Sequence, residues 1–549
     1  MNRRRHLVPT SLAAIALILL TLLLVSAGAV PALAQTPTTL YSFVNGSSDA
    51  ACPSGNIVQG RDGTMYGVGA ACGRGTNNTG AVYKITPAGA ESVLVNFPSN
   101  WSNCDAGFTL GRDGNFYGIC STLVGTNSSF LFRMTPAGVL TSLHGFAVGD
   151  LAKYAPIQGA DGNFYGVTSE IVYKMTPAGV VTTIHTFVSP DVQPLSNLYQ
   201  ASDGALYGTI TLCALSGNRG CVYKVSTSGV YKNVYDFADL TGSGPCTSMI
   251  QGKDGKLYGA TQGGRPLNDG NLFKVTTAGV NTGLHDINSV TEGSCNPGAN
   301  PFYPVVSLLQ VTDGNFYGTM YGGALGDGSI FKLTAANVFS VFLLPSDNSL
   351  GNQNYSTLIQ HTNGLVYGAS LGGGKNSVGS FFRVATGDAP YLKLEPTELS
   401  GNVGASVGMF GQGFTSASVV KFGGVAATTK TLSGTTYITA VVPAGAHTGP
   451  VTVTTGATTL TSPLTYKVKP KITSFTPTAG HVAQLVTITG TGFIQATAVK
   501  FGTVKAITFT VVSDTKVTAV VPTVPLGALA ISVVTPGGTA ASATKFTVD

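Results

Sequence analysis

Six aspartates sit at one position of a repeated string, each followed by glycine: Asp62, Asp113, Asp161, Asp203, Asp254 and Asp313. Recurring carboxylates could hold calcium, but that ion takes six or more oxygens and its loops concentrate several acids in one stretch. Here each aspartate stands alone beside glycine and apolar residues, so the reading is turn chemistry, with no metal site. His144, His185 and His285 share another repeat position. A shared position in different repeats holds them apart, so they cannot converge on a metal or a substrate. Seven basic residues follow an aromatic in successive repeats: Lys84, Arg133, Lys174, Lys224, Lys274, Lys332 and Arg383. They could make a cationic ring. The expected arrangement is instead a stem packed along its own sheet, with the head reaching water or the turn aspartate. Asn363 takes that aspartate's place opposite Arg383. The sequence has no nucleophile elbow, H-E-x-x-H string, Walker loop or convincing carboxylate pair, so no catalytic residue and no cofactor is assigned. An enzyme would need residues gathered from several loops.

The remaining binding chemistry is aromatic. Trp101, the only tryptophan, and Tyr154, Phe302, Tyr303, Tyr321 and Tyr355 fall in segments of variable length between repeat strands. Exposed there, they could stack on sugar rings; folded back, they would pack on the sheets beneath. Eight cysteines stand at Cys52, Cys72, Cys104, Cys120, Cys213, Cys221, Cys246 and Cys295. None has the C-x-x-C spacing that zinc favours, and the even count suits disulfides in an exported chain. Their phase in the repeat suggests Cys52–Cys104, Cys246–Cys295 and Cys72–Cys120 between successive sheets, with Cys213–Cys221 inside one hairpin. That is one of about 105 possible pairings.

The elements that must position these residues come from the repeat itself. "DG-x-x-YG" occurs at 62–67, 113–118, 161–166, 203–208, 254–259 and 313–318, and as NGLVYG at 363–368. Asp-Gly and Asn-Gly favour tight hairpin turns, because the central residues need positive φ. Neighbouring aromatics such as Phe116 and Tyr117 place apolar residues on both faces of the second strand, as in a sheet covered on both sides. The aromatic–basic pair marks a third strand. A turn such as "TPAG" follows, then a fourth strand ending in an aromatic such as Phe146 or Phe187. Repeats one to six have that fourth strand and the seventh lacks it, while "TTLYSF" at 38–43 is a fourth strand without a repeat. Placing it in the last sheet completes seven blades and leaves no edge at the seam. Over residues 38–388 the pattern resembles the GloVer-type tandem repeat of exported bacterial proteins. That resemblance implies export and a repeat scaffold, and nothing about chemistry.

From about residue 389 the period changes. "GQGF" (411–414) matches "GTGF" (490–493), "VKFG" (420–423) matches 499–502, and "AVVP" (440–443) matches 519–522, always 79 residues apart. Two tandem domains follow, at 389–467 and 470–549. Alternating stretches such as "AQLVTITG" read as half-buried strands. The pair resembles the IPT/TIG family of immunoglobulin-like β-sandwiches, which implies partner-binding or spacer modules. "YKVKPKI" (466–472) is too short for a flexible linker, so a stiff connection is expected.

Bulk properties agree with a large all-β protein. The chain has 549 residues, 72 of them glycine, and only 10% are charged. Arg3, Arg4 and Arg5 precede an apolar run, and "ALA" at 32–34 offers a cleavage site, so residues 1–34 read as a signal peptide; an uncleaved anchor is the alternative. The mature charge of +3 points to neither nucleic acid nor an anionic membrane. The expected fold class is all-β: a seven-bladed β-propeller over 35–388, then two immunoglobulin-like sandwiches. The expected function is non-catalytic binding of glycan or protein, secreted or at the cell surface. A carbohydrate-active enzyme and a purely structural surface protein are the alternatives.

Overall fold

The computed structural model describes residues 37–44, 50–69, 79–122, 128–188, 192–194, 196–213, 217, 219–238, 241–264, 269–288, 292, 308–320, 329–343, 357–395 and 399–549. Regular structure among them is all strand. The signal-peptide expectation lies outside these residues. No helix among them is long and apolar enough to cross a membrane.

Among the described residues of 37–395 the strands form seven antiparallel sheets of four or five strands. The first runs Pro53–Gln59, Met65–Gly69, Ala81–Ile85, Glu91–Asn96 in chain order, and the others occupy 101–145, 157–186, 192–236, 243–286, 308–343 and 359–384. Strand Thr38–Ser42 pairs antiparallel with Ser380–Val384 and forms the outer edge of the seventh sheet. The repeated dipeptides explain the local geometry. In the Asp-Gly turn Gly63 has φ 79°, its N–H donates to the Gly60 carbonyl, and Asp62 accepts from the Thr64 N–H. The glycine of "YG" is needed for space. A Cβ on Gly67 would lie 2.3 Å from the Tyr83 hydroxyl, and one on Gly118 2.5 Å from the Phe132 ring. The third-strand aromatic therefore crosses directly over the second strand.

Apolar clusters join each sheet to the next. Tyr66 and Val82 of the first meet Phe108, Phe116 and Phe132 of the second. Val311, Tyr317 and Ile330 of the sixth meet Leu358, Val366 and Phe382 of the seventh. Tyr367 and Phe381 of the seventh return to Met65 and Tyr83 of the first, so the succession closes on itself.

A glutamine belt closes the same ring. Gln59, Gln158, Gln200, Gln251, Gln310 and Gln360 each stand three residues before the turn Asp or Asn. Their side-chain oxygens accept backbone N–H groups of the preceding sheet: Arg112 to Gln158 (2.9 Å), Ala160 to Gln200 (2.7 Å), Ser202 to Gln251 (2.8 Å), Lys253 to Gln310 (2.8 Å), Thr312 to Gln360 (3.0 Å) and Thr362 to Gln59 (3.1 Å). Five of these amides also donate to the glycine carbonyl of their own turn. The second sheet has Leu110 at this position, and there Arg61 donates to the Arg112 carbonyl instead.

The last 150 or so residues form two sandwiches of identical strand order. In the first, Lys393–Leu394, Ser406–Phe410, Tyr437–Val441 and Lys430–Ser433 face Ser400–Asn402, Thr458–Lys469, Gly449–Thr455, Val419–Phe422 and Val425–Ala426. Val407, Ile438, Val451 and Tyr466 fill one core; Val486, Val517, Ile531 and Phe546 fill the other.

Candidate functional site

The strand order gives the ring two faces. Asp-Gly and TPAG-type turns make one; the longer connections make the other. On the turn face the repeated residues form clusters. The hydroxyls of Tyr66, Tyr117, Tyr165, Tyr207 and Tyr258 donate to their own turn aspartates at 2.7–2.9 Å. Lys174 reaches Asp161 at 3.2 Å and Lys224 reaches Asp203 at 3.7 Å. Their ammonium groups lie 5.8 and 5.7 Å from the Tyr165 and Tyr207 ring centroids. Burial, reinforced by Asp62, pushes Tyr66 up to about 12. Burial works against the Asp161 carboxylate, but hydrogen bonds from Asn163, Tyr165 and Lys174 outweigh it and lower its pKa. A phenol held protonated beside a carboxylate held ionised moves no proton near neutral pH. These clusters fasten turns to strands.

The first sandwich docks on this face. Arg61 Nη2 lies 2.8 Å from Glu395 Oε1, and the guanidinium sits 4.4 Å from the Tyr437 ring centroid. The Tyr437 hydroxyl donates to the same carboxylate oxygen at 2.8 Å, and Thr436 Oγ1 donates to the Arg61 carbonyl at 2.8 Å. Gln412 donates to Thr362 Oγ1 and the Tyr391 hydroxyl to the Gln360 carbonyl. The positions 79 residues beyond Glu395 and Tyr437 hold Ser474 and Lys516, so the second sandwich lacks the docking pair.

The opposite face carries the variable loops, and here the structure corrects two expectations. Cys104 bonds to Cys120, so neither the Cys52–Cys104 nor the Cys72–Cys120 pairing exists. Strands Trp101–Ser102 and Phe108–Leu110 both pair with Phe116–Thr122, which brings the intervening Cys104 to Cys120 of its own sheet, 4.1 Å between Cα atoms. Cys213 is joined to Cys221. Cys52 and Cys246 are also disulfide-bonded; Cys72 and Cys295 lie outside the described residues. The Cys213 and Cys221 sulfurs approach the Asp236 carboxylate, but sulfurs bonded to each other are not thiolate ligands.

The second correction concerns the aromatics. Trp101 is 8% exposed and packs on Phe97, Phe130 and Phe132, so its ring belongs to the core between the first and second sheets. Tyr154 is also 8% exposed, and burial pushes its phenol up. Neither offers a face to a ligand. The other four, Phe302, Tyr303, Tyr321 and Tyr355, lie outside the described residues.

Comparison with known proteins fits the repeat. The Gloeobacter/Verrucomicrobia repeat matches residues 28–171 and 150–302, together half of the chain. The chain belongs to the Gloeobacter/Verrucomicrobia repeat family. An IPT/TIG domain follows, matched at residues 470–548 of this repeat protein. No curated protein sequence matches the chain. Among solved structures, SGBP-B from a xyloglucan utilization locus of Bacteroides uniformis is 20% identical over 28% of this repeat protein and 48% of its own chain, TM-score 0.16. The surface glycan-binding protein PbSGBP-B of Prevotella bryantii is 20% identical over 30% and 40%, TM-score 0.22. A copper-bound fungal alcohol oxidase of the AA5 family is 11% identical over 91% and 98%, TM-score 0.43. The chain spans about half the length of the first of these.

Proposed function

We propose that this protein is an exported, non-catalytic binding protein: a seven-bladed propeller whose loop face takes a glycan or a protein, carried on an immunoglobulin-like stalk. Residues 1–34 direct export, and the disulfides suit an oxidising compartment. The observation that carries the reading is the docking of the first sandwich on the turn face through Arg61, Glu395 and Tyr437. That contact covers short turns of uniform build and leaves Asn103, beside the Cys104–Cys120 disulfide, exposed to solvent. Variable loops on a rigid scaffold are where proteins place recognition.

The test has two stages. The mature chain is screened against arrays of glycans and of extracellular proteins; retention of a defined class is expected, and none retained sinks the binding reading. A photo-crosslinking residue is then placed at Asn103, exposed in the disulfide-held loop, or at Val180, 63% exposed beside a TPAG turn. Crosslinking to the retained ligand from Asn103 and not from Val180 is expected. The reverse pattern moves the site to the other face.

A further inference from the structure

The near-balanced charge of the mature chain hides a segregation. Residues 35–388 carry seventeen Lys or Arg against twenty Asp or Glu. Residues 389–549 carry ten lysines, no arginine and four carboxylates, a formal charge of +6. One of those carboxylates, Glu395, is taken by Arg61.

Three of the lysines form a row across the joint between the sandwiches. Strand Thr458–Lys469 carries Lys467 and Lys469 at its end, and strand Lys471–Thr476 begins just past the single intervening Pro470. Along 467–471 exposure alternates: the three lysines are exposed, and Val468 and Pro470 between them are buried. In extended backbone that puts the lysines on one side, about 7 Å apart. Their backbone is pinned on both flanks. The Lys467 N–H donates to the Leu399 carbonyl at 2.8 Å and the Val468 N–H to Thr448 Oγ1 at 3.0 Å. The Asn402 amide donates to the Lys469 and Pro470 carbonyls at 3.2 and 3.3 Å. Thr448 in turn donates its N–H to Gln495 of the second sandwich at 2.7 Å, so the row spans a fixed joint. Among the described residues none of the three lysines is ion-paired or hydrogen-bonded through its side chain.

We infer that the Lys467–Lys469–Lys471 row binds a linear anionic polysaccharide, making the sandwich pair an attachment module. Three like charges fixed in a line repel one another, and a polymer with repeating anions laid along them relieves that repulsion at each step. The side chains suit such a polymer better than a nucleic acid. They are point charges without the bidentate fork of arginine, and the one aromatic beside them, Tyr466, is buried and presents no ring for a base to stack on. The row is one-dimensional with buried apolar residues between its members, so it has nothing to insert into a lipid surface.

The experiment uses the full mature chain and immobilised polygalacturonate, with uncharged dextran and phosphatidylglycerol vesicles as comparisons. Binding to polygalacturonate and not to dextran, weakening steeply with salt, is expected. The triple variant Lys467→Gln/Lys469→Gln/Lys471→Gln should lose about tenfold in affinity at low salt, with a log–log salt slope shallower by about two. Lys421→Gln/Lys505→Gln/Lys516→Gln removes the same charge from elsewhere in the sandwiches and should stay within about threefold of the parent. Equal loss in both triples, no preference over dextran, or tighter binding to the vesicles overturns the inference. Single Lys469→Gln, a change at an exposed side chain, guards against a folding defect in the triple; an unchanged affinity there also counts against the row. Failure leaves the loop-face reading untouched, because that ligand is scored at Asn103.

Discussion

The Arg61 guanidinium holds the Glu395 carboxylate at 2.8 Å while bridging to the Arg112 carbonyl of the next sheet. One side chain thus fills the gap left by Leu110 in the glutamine belt and anchors the first sandwich. Glu395 is 6% exposed at its side chain and Arg61 26%. Removing the arginine strands a buried carboxylate. Arg61→Ala should destabilise the protein by about 2–3 kcal/mol, less than a fully buried pair because Arg61 keeps partial contact with water. Arg61→Lys should recover little, since neither the fork nor the stack on Tyr437 survives. Denaturant unfolding gives the cost, and protease sensitivity of the 385–395 connection shows whether the sandwich has let go; unchanged values in both would deny the anchor.

The belt predicts a graded series. Gln59→Leu leaves the buried N–H of Thr362 without its acceptor, which costs about 1–3 kcal/mol. Gln251→Leu disturbs solvent-exposed bonds to Ser202 and Gly255, so water replaces them and the loss should stay under about 1 kcal/mol. Equal losses in chemical denaturation would mean that burial does not set the strength of these joints.

Three tyrosines stand where phenylalanine occupies sister repeats. The hydroxyls of Tyr83, Tyr173 and Tyr223 are buried with no hydrogen-bond partner among the described residues, while Phe132, Phe273, Phe331 and Phe382 occupy the same place. Each Tyr→Phe change should be neutral or stabilising by up to about 1–2 kcal/mol. Gly67→Ala should be severe, because its Cβ would meet both the hydroxyl and the ring carbon of Tyr83, at 2.3 and 2.4 Å; Tyr83→Phe should therefore fail to rescue it. Melting temperatures of the singles and the double decide.

These residues also show what could be read in advance. The Asp-Gly turns and the strand order were legible because turn chemistry and hairpin order are local; the fifth strand of three sheets, where the expected first strand is split as in Trp101–Ser102 and Phe108–Leu110, was not. The glutamine belt was written just as regularly, three residues before each turn, but its meaning lies between sheets, where a repeat alignment assigns no partner. The same blindness misplaced Cys104: phase within a repeat gives height in a sheet and not distance to the next one. Trp101 looked like a ligand contact because a loop aromatic reads the same whether it points outward or back onto Phe97 and Phe130. The lysine row was hidden by averaging its charge over the whole chain.

Acid should weaken the protein at the docking joint. His361 is 1% exposed; its Nε2 lies 3.0 Å from the Gly63 carbonyl, and Nδ1 accepts the Asn363 N–H. A ring donating at one nitrogen and accepting at the other is neutral. Burial lowers its pKa below the ordinary 6.5, and nearby Lys393, whose own pKa burial lowers, works in the same direction; the two hydrogen bonds oppose without prevailing. The folded state therefore takes up this proton less readily than the unfolded chain. Stability from His361 is fully present above the unfolded pKa and is lost as pH falls from about 6.5 through the lower folded value. His144 and His185 are shifted the same way by burial, so the slope between pH 7.5 and 5 belongs to all three. His361→Gln removes one titrating group and should flatten that slope while lowering stability at pH 7.5, because the fit to Gly63 and Asn363 is lost. Thermal unfolding of parent and variant across this range reads the difference; parallel curves would mean that His361 does not stay neutral while the unfolded chain protonates.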